Sequence, residues 1–174
     1  MCVRIMPKIT LNRIRYFTAL VDGSRDINAP ARQQIYLRAL QTIPNLTIHR
    51  GFFLTKTVSA RNAKPPPKYV MIIDTEEKGS DVNLASYMLL DAFNKDYDQA
   101  IVISNDSDLV EPIRMVQSEF SCPVGIINPH RKPAAELLKV ARFYRNIRKA
   151  TLVASQFSVT LADATGPFSK PPTW

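Results

Sequence analysis

Little in this 174-residue sequence can be cross-linked, and nothing in it is long and greasy enough for a bilayer. There are two cysteines, Cys2 and Cys122, one of them at the very start. No structural disulfide is expected from such a pair, and a reducing cytoplasm is the expected compartment. Neither the cysteines nor the two histidines, His49 and His130, stand at zinc-ligand spacing. Glycine is scarce, with five in all. No Gly-x-Gly-x-x-Gly follows a strand, so the dinucleotide-binding fingerprint is absent. No apolar run reaches about 18 residues and no leader pattern opens the chain, so no membrane partner is expected.

What is present fits a globular domain. The hydrophobic share is 45% against 22% charged, and one domain is the expectation at this length. Lys and Arg number 23 against 15 Asp and Glu, a formal net charge of +8. A sequence pI near 9.7 favours a polyanionic partner, RNA or DNA, over acidic small molecules.

The stretch Ile101-Val102-Ile103-Ser104-Asn105-Asp106-Ser107-Asp108 organises the rest. Three β-branched apolar residues read as a strand covered on both faces. The strand runs into two carboxylates spaced i, i+2, with a helix after them. In open α/β sheets, sites form beyond the carboxyl ends of the strands. Two closely spaced Asp side chains repel each other there, and a divalent cation with oxygen ligands, Mg²⁺ or Mn²⁺, relieves that repulsion. The alternative is a helix N-cap, in which Asp106 or Ser107 accepts backbone N–H bonds and the other Asp is solvated.

Strand and helix signals alternate around this stretch. Residues 1–8 are too short for an element of their own. Residues 12–21 read as a strand ended by Asp22-Gly23-Ser24, and Pro30 suits the first turn of a helix that Pro44-Asn45 ends. Leu46–Leu54 reads as a strand, with His49 at its edge or in the core, and 55–67 as a loop. Tyr69–Ile73 is a short strand before the acidic run Asp74 to Asp81. Helical periodicity begins at Ser80, a plausible N-cap, and places Val82, Ala85, Leu89, Ala92 and Phe93 on one face. Asp81 then falls in the first turn, where the helix dipole favours a carboxylate. Tyr97–Ser104 is the central strand, and the helix after it tolerates Pro112 in its first turn. Pro123–Ile127 is a further strand, followed by the basic loop His130-Arg131-Lys132-Pro133, a helix over 134–142 and a strand over 143–147. Arg142, Arg145, Arg148 and Lys149 crowd that end. The expectation is an α/β fold, three-layer α/β/α with a mainly parallel central sheet, over 1–157, with an irregular tail over 158–174. Both acidic clusters then meet at one rim.

The segments Glu76-Glu77-Lys78-Gly79-Ser80-Asp81-Val82-Asn83-Leu84-Ala85 and Tyr97-Asp98-Gln99-Ala100-Ile101-Val102-Ile103-Ser104-Asn105-Asp106-Ser107-Asp108-Leu109-Val110 resemble, in this order and spacing, the NYN domain. The LabA-like branch of the PIN-like nuclease superfamily is the group meant. The resemblance runs from about Arg13 to the Lys-Pro-Pro-Thr-Trp end. It implies an acidic rim that binds Mg²⁺ or Mn²⁺ and hydrolyses RNA phosphodiesters. The matching positions are Asp81, Asp106 and Asp108 as catalytic metal ligands. Ser104 and Asn105 shape the turn, and Lys78, Arg131 and Lys132 are placed to bind substrate. The family's opening strand, which ends in an Asp-Gly-x-Asn-like motif, has no counterpart here. Val21-Asp22-Gly23-Ser24 imitates it but ends the wrong strand, so Asp22 reads as loop. Only about five residues separate Met6 from the next strand, too few for the dozen or so of a parallel crossover. Either the sheet closes over the gap left by that strand, or the domain is truncated at its N-terminus, as a fragment or through a misplaced start. In both cases a weakened metal site is expected.

Two other functions compete. A regulatory module that binds RNA without cleaving it fits the basic charge and the missing ligand. An NADH-dependent monooxygenase of an aromatic compound is the other, because names of that kind have been attached to this family. Neither histidine makes a two-His, one-carboxylate iron pattern with a nearby acid. A homo-oligomer is compatible with everything above.

Overall fold

The computed structural model describes residues 1–23 and 26–172. Ser24 of the expected strand-ending turn, and Thr173 and Trp174 of the family-like C-terminus, lie outside the described residues. One short helical turn, α1 (Cys2–Ile5), precedes β1 (Ile14–Ala19) and α2 (Ala29–Gln41). Pro30 stands at the start of α2, as its fixed φ and missing N–H require. Then come β2 (Leu46–Arg61), β3 (Tyr69–Lys78), α3 (Ser80–Phe93), β4 (Ala100–Ile103) and a 3₁₀ turn at Ser107–Leu109. The chain continues through α4 (Val110–Phe120), β5 (Val124–Asn128), α5 (Ala135–Val140), β6 (Phe143–Asn146) and α6 (Lys149–Val153), and closes on β7 (Thr160–Asp163) and β8 (Gly166–Ser169).

The α/β class and the parallel pairing match the expectation. β1 lies parallel to β2, and β4, β5 and β6 are parallel throughout. The first six strands form two three-stranded sheets, β1-β2-β3 and β4-β5-β6, rather than one continuous sheet, and β7 and β8 pair separately. β1 and β4 are therefore edge strands, and among the described residues no strand bridges them. The gap is not closed by residues 1–6, which form the helical turn α1 instead.

The core lies on β4 and β5. All five residues of β5 are buried, as expected of a strand covered on both faces. Leu109, Ile113 and Val116 of the turn and α4 pack there with Val124, Ile126 and Leu137. From α3 come Met88 and Ala92. Val82 and Phe93, expected on the inner face of α3, are exposed. The helix turns Met88, Asp91 and Ala92 inward instead.

Asp91 has this place because β1 supplies its counter-charges. Arg15 donates to both of its carboxylate oxygens, Nε to Oδ2 at 2.7 Å and Nη2 to Oδ1 at 2.6 Å. Arg13 adds a bond at 3.1 Å and also reaches Asp96. His49 completes the cluster, stacked on Phe17 and against Tyr87. Its Nε2 stands 2.9 Å from Arg15 Nη1. A guanidinium can only donate, so this nitrogen accepts and the ring is neutral. Burial, and then Arg15, holds its pKa below the ordinary histidine value. His49 is thus a half-buried core residue between β1 and α3.

Two segments depart from their sequence reading. β2 does not stop near Leu54 but runs to Arg61, and β3 continues through the acidic run to Lys78. The two pair antiparallel from Phe52↔Lys78 to Arg61↔Tyr69, forming a ribbon beyond the part of β2 that pairs with β1. The segment 158–174, read as irregular, contains the hairpin β7-β8. Arg38 of α2 fixes it with bonds to Asp163 at 2.6 and 2.8 Å and to Gly166 O at 2.9 Å. The same guanidinium lies 4.1 Å from the Phe168 ring.

Candidate metal centre

The acidic turn is built by local hydrogen bonds at the end of β4. Ser104 Oγ accepts from the Asp106 N–H at 3.1 Å, and Asp106 Oδ1 accepts from the Asp108 N–H at 2.9 Å. Asp106 therefore does cap the 3₁₀ turn, as the alternative reading of the sequence had it. That bond occupies only part of a carboxylate with about four acceptor sites. Leu109, fully buried, anchors the turn from below. Asn105 ties the turn to the basic loop. Its Nδ2 donates to Lys132 O at 3.2 Å and its Oδ1 accepts from Ala134 N–H at 2.8 Å. Arg131 and Lys132 are both exposed beside that tether.

Asp81 arrives from the other motif, in the first turn of α3. Gly79 precedes it with φ 94°, a left-handed conformation that suits glycine and lets β3 turn directly into the helix. A carboxylate at a helix N-terminus is ordinarily stabilised in its ionised form. The Asp81 carboxyl is nevertheless held above its ordinary value, first by desolvation and then by repulsion from Asp106, Glu77 and Asp108. Three carboxylates from two other parts of the fold, β3 and the turn after β4, thus act on Asp81. The side chain itself stays exposed, so the crowding comes chiefly from one side.

The remaining sequence assignments fall out differently. Lys78 Nζ contacts Glu76 Oε2 at 2.5 Å, and with Lys56 it pulls the Glu76 carboxyl down to about 2. Lys78 is therefore engaged along its own strand. Asp22 lies in the irregular segment after β1. Glu77 is a residue that sequence reasoning passed over. Side chains alternate along a strand, so Asp74, Glu76 and Lys78 share one face of β3 with Lys56, and Glu77 takes the other. Reading β3 as a strand through Lys78 would have separated the two glutamates.

An all-carboxylate donor set suits a hard divalent cation, and its mutual repulsion is what such an ion would relieve. Among the described residues, no three His, Cys, Asp or Glu groups converge closely enough as placed to form a closed metal cage. The fit is thus one of donor chemistry and charge. Because the Asp81 value is raised in the folded state, its contribution favours folding at acid pH and is lost as pH rises through the raised value. Thermal melts should therefore show Asp81→Asn gaining on the parent as pH rises from acid to neutral, with no difference in acid. Mg²⁺ or Mn²⁺ at a hundredfold over its Kd should stabilise the parent by about 2.7 kcal/mol at neutral pH and the variant by much less.

Three comparisons with known proteins bear on this site. The NYN domain family matches residues 5–147. A curated relative, the 6-hydroxy-3-succinoylpyridine 3-monooxygenase HspA of Pseudomonas putida, is 27% identical over 179 aligned positions, covering 92% of this chain. The chain spans 57% of that relative's length. A crystal structure of a Vibrio parahaemolyticus protein of unknown function superposes with a TM-score of 0.50 at 15% identity, over 76% of this chain and 67% of the other. That likeness concerns the fold alone.

Proposed function

Because this chain belongs to the NYN domain family, a nuclease-like group, we propose that it is a ribonuclease dependent on Mg²⁺ or Mn²⁺, with Asp81, Asp106 and Asp108 as its metal-binding carboxylates. One observation carries this reading: the fold brings Asp81, in the first turn of α3, into electrostatic range of Asp106 and Asp108 of the second motif, whose repulsion adds, after desolvation, to what raises the Asp81 carboxyl. When bound, the ion supplies an activated water and neutralises charge that builds on the phosphate. The chain's own residues do the rest. The carboxylates repel a phosphodiester until their charge is offset. Arg131 and Lys132, tethered through Asn105, bring positive charge to the same turn and supply phosphate affinity. Glu77 stands as a further ligand candidate from β3.

Among the described residues no strand pairs with the outer edges of β1 and β4, which supports the further reading that the family's opening strand, with its own Asp, is not among these residues, and that the site is weakened for that reason. The LabA-like branch fits the two motifs best. Both cysteines are free thiols, which supports a reducing cytoplasm. Among the described residues no helix is long and apolar enough to cross a membrane. Cleavage of a structured RNA with manganese present, abolished by chelator, is the expected result. RNA binding that weakens with salt but ignores chelator would select the non-catalytic module instead.

A second reading rests on the Pseudomonas relative, which aligns with almost all of this chain. It assigns hydroxylation of an aromatic compound with NADH as reductant. Oxidation of NADH that depends on an aromatic substrate, with no RNA cleavage, would favour it.

A further inference from the structure

The ribbon of β2 and β3 gathers six of the twenty large apolar residues that are exposed among the described residues. Two-stranded hairpins are marginal alone, yet this one carries Phe52, Leu54, Tyr69, Met71, Ile72 and Ile73, all large, apolar and exposed. Met71 and Ile73 are 66% and 72% accessible. The whole chain exposes 11941 Å², against roughly 8,600 Å² expected of a compact monomer of its mass. The excess is larger than the area a standard protein interface buries, about 1,600 Å².

Among the described residues β3 is an edge strand, with β2 on one side only. Its segment Tyr69-Val70-Met71-Ile72-Ile73 has no charge and no proline, with Pro65-Pro66-Pro67-Lys68 before it and Asp74 after it. Long, apolar, unprotected edges are rare in proteins that stay single. The Asn62 N–H donates to Lys68 O at 2.9 Å, a pair in the same antiparallel register as Arg61↔Tyr69. Hydrogen-bonding direction alternates along a strand. The backbone groups of Val70 and Ile72 therefore face β2, and those of Tyr69, Met71 and Ile73 face outward.

We propose that this edge pairs with β3 of a second copy of the chain, antiparallel about a two-fold axis at Met71. A two-fold needs a residue opposite itself, because reciprocal pairs must be of the same hydrogen-bonding type. With Met71 at the centre, the outward groups of Tyr69, Met71 and Ile73 meet Ile73, Met71 and Tyr69 of the other copy. The uncharged segments overlap fully. Lys68 then stands opposite Asp74 of the other copy, twice over. The ends are thus charge-complementary as well as apolar in the middle. Asp74 is free to respond, since its contact within the ribbon, to Lys56 Nζ, is long at 4.0 Å. The product is a four-stranded ribbon with its apolar rows continuous across the axis, which lends each hairpin the neighbours it lacks.

Sedimentation of the full chain at micromolar concentration should give twice the 19.6 kDa of one chain. Met71→Lys sets two ammonium groups face to face at the axis and should give a monomer with an unchanged circular dichroism spectrum. Lys68→Glu should raise the dimer Kd about tenfold or more, and adding Asp74→Lys to it should restore the parent value. A monomeric parent chain would overturn the proposal. So would a Met71→Lys variant that still dimerises, or a double reversal that fails to recover. The reversal pair keeps the test decisive even where Met71→Lys alone misfolds.

Discussion

Asp106→Asn should lower manganese-dependent RNA cleavage by at least about 100-fold and leave the fold intact. The magnitude follows from the chemistry proposed for the turn. Losing a group that merely orients a metal ligand costs about 10–100-fold, and a direct ligand should reach the top of that range or beyond. The fold should survive because Asp106 has a second task that asparagine performs as well. Its Oδ1 caps the Asp108 N–H, and Asn and Asp are equivalent N-caps. The melting temperature should therefore shift by less than about 0.5 kcal/mol would produce. The substitution separates charge from shape. It also relieves repulsion on Asp81, so the Asp81 carboxyl should move down toward its ordinary value in an NMR titration. Equal cleavage by parent and variant would remove the metal site as drawn, even if Asp81 shifts as expected.

The largest effect on stability is expected at Asp91. Asp91→Ala should destabilise the protein by about 3–5 kcal/mol, the usual consequence of leaving a buried charge without its partner. In a chain of this size that lowers the melting temperature by roughly 6–20 °C. The penalty falls on Arg15, whose side chain is 18% accessible and makes two short bonds to Asp91. Arg13, at 44%, can turn to solvent. The same loss should loosen β1 from α3, since Arg15 also contacts His49 and covers Tyr87. Arg15→Met with Asp91→Leu should recover most of the stability, because the desolvation cost of both charges disappears together. A double variant as unstable as Asp91→Ala would show that packing around the cluster, and not its charge, is what matters.

Much of the site was legible because its signals are local. The Ser104–Asp108 turn follows an apolar strand within eight residues, and its hydrogen bonds span no more than two positions. Pro30 at the start of α2 and the all-buried β5 were read from periodicity and punctuation in the same way. Asn105 is a partial case. Its place in the turn was visible, but its bonds to Lys132 and Ala134 reach 27 and 29 positions away. Glu77 was missed because the acidic run was read as a loop, which has no faces, and only a strand sorts Glu76 from Glu77.

The sequence by itself determined the α/β class, the start of α2 at Pro30 and the closely spaced pair Asp106 and Asp108, since each depends on neighbours a few residues apart. It missed α1 and α6, and Gly79 rather than Ser80 is the N-cap of α3. The tertiary structure alone decided that β1–β6 divide into two sheets and that β2 and β3 extend into an exposed ribbon. It alone showed that Arg38 seats the C-terminal hairpin from 125 positions away, and that Asp91 turns inward to meet Arg15 across 76. Such pairs leave no periodic trace. Their energy depends on which charges the fold brings together after the chain has closed, and on how little water is left around them.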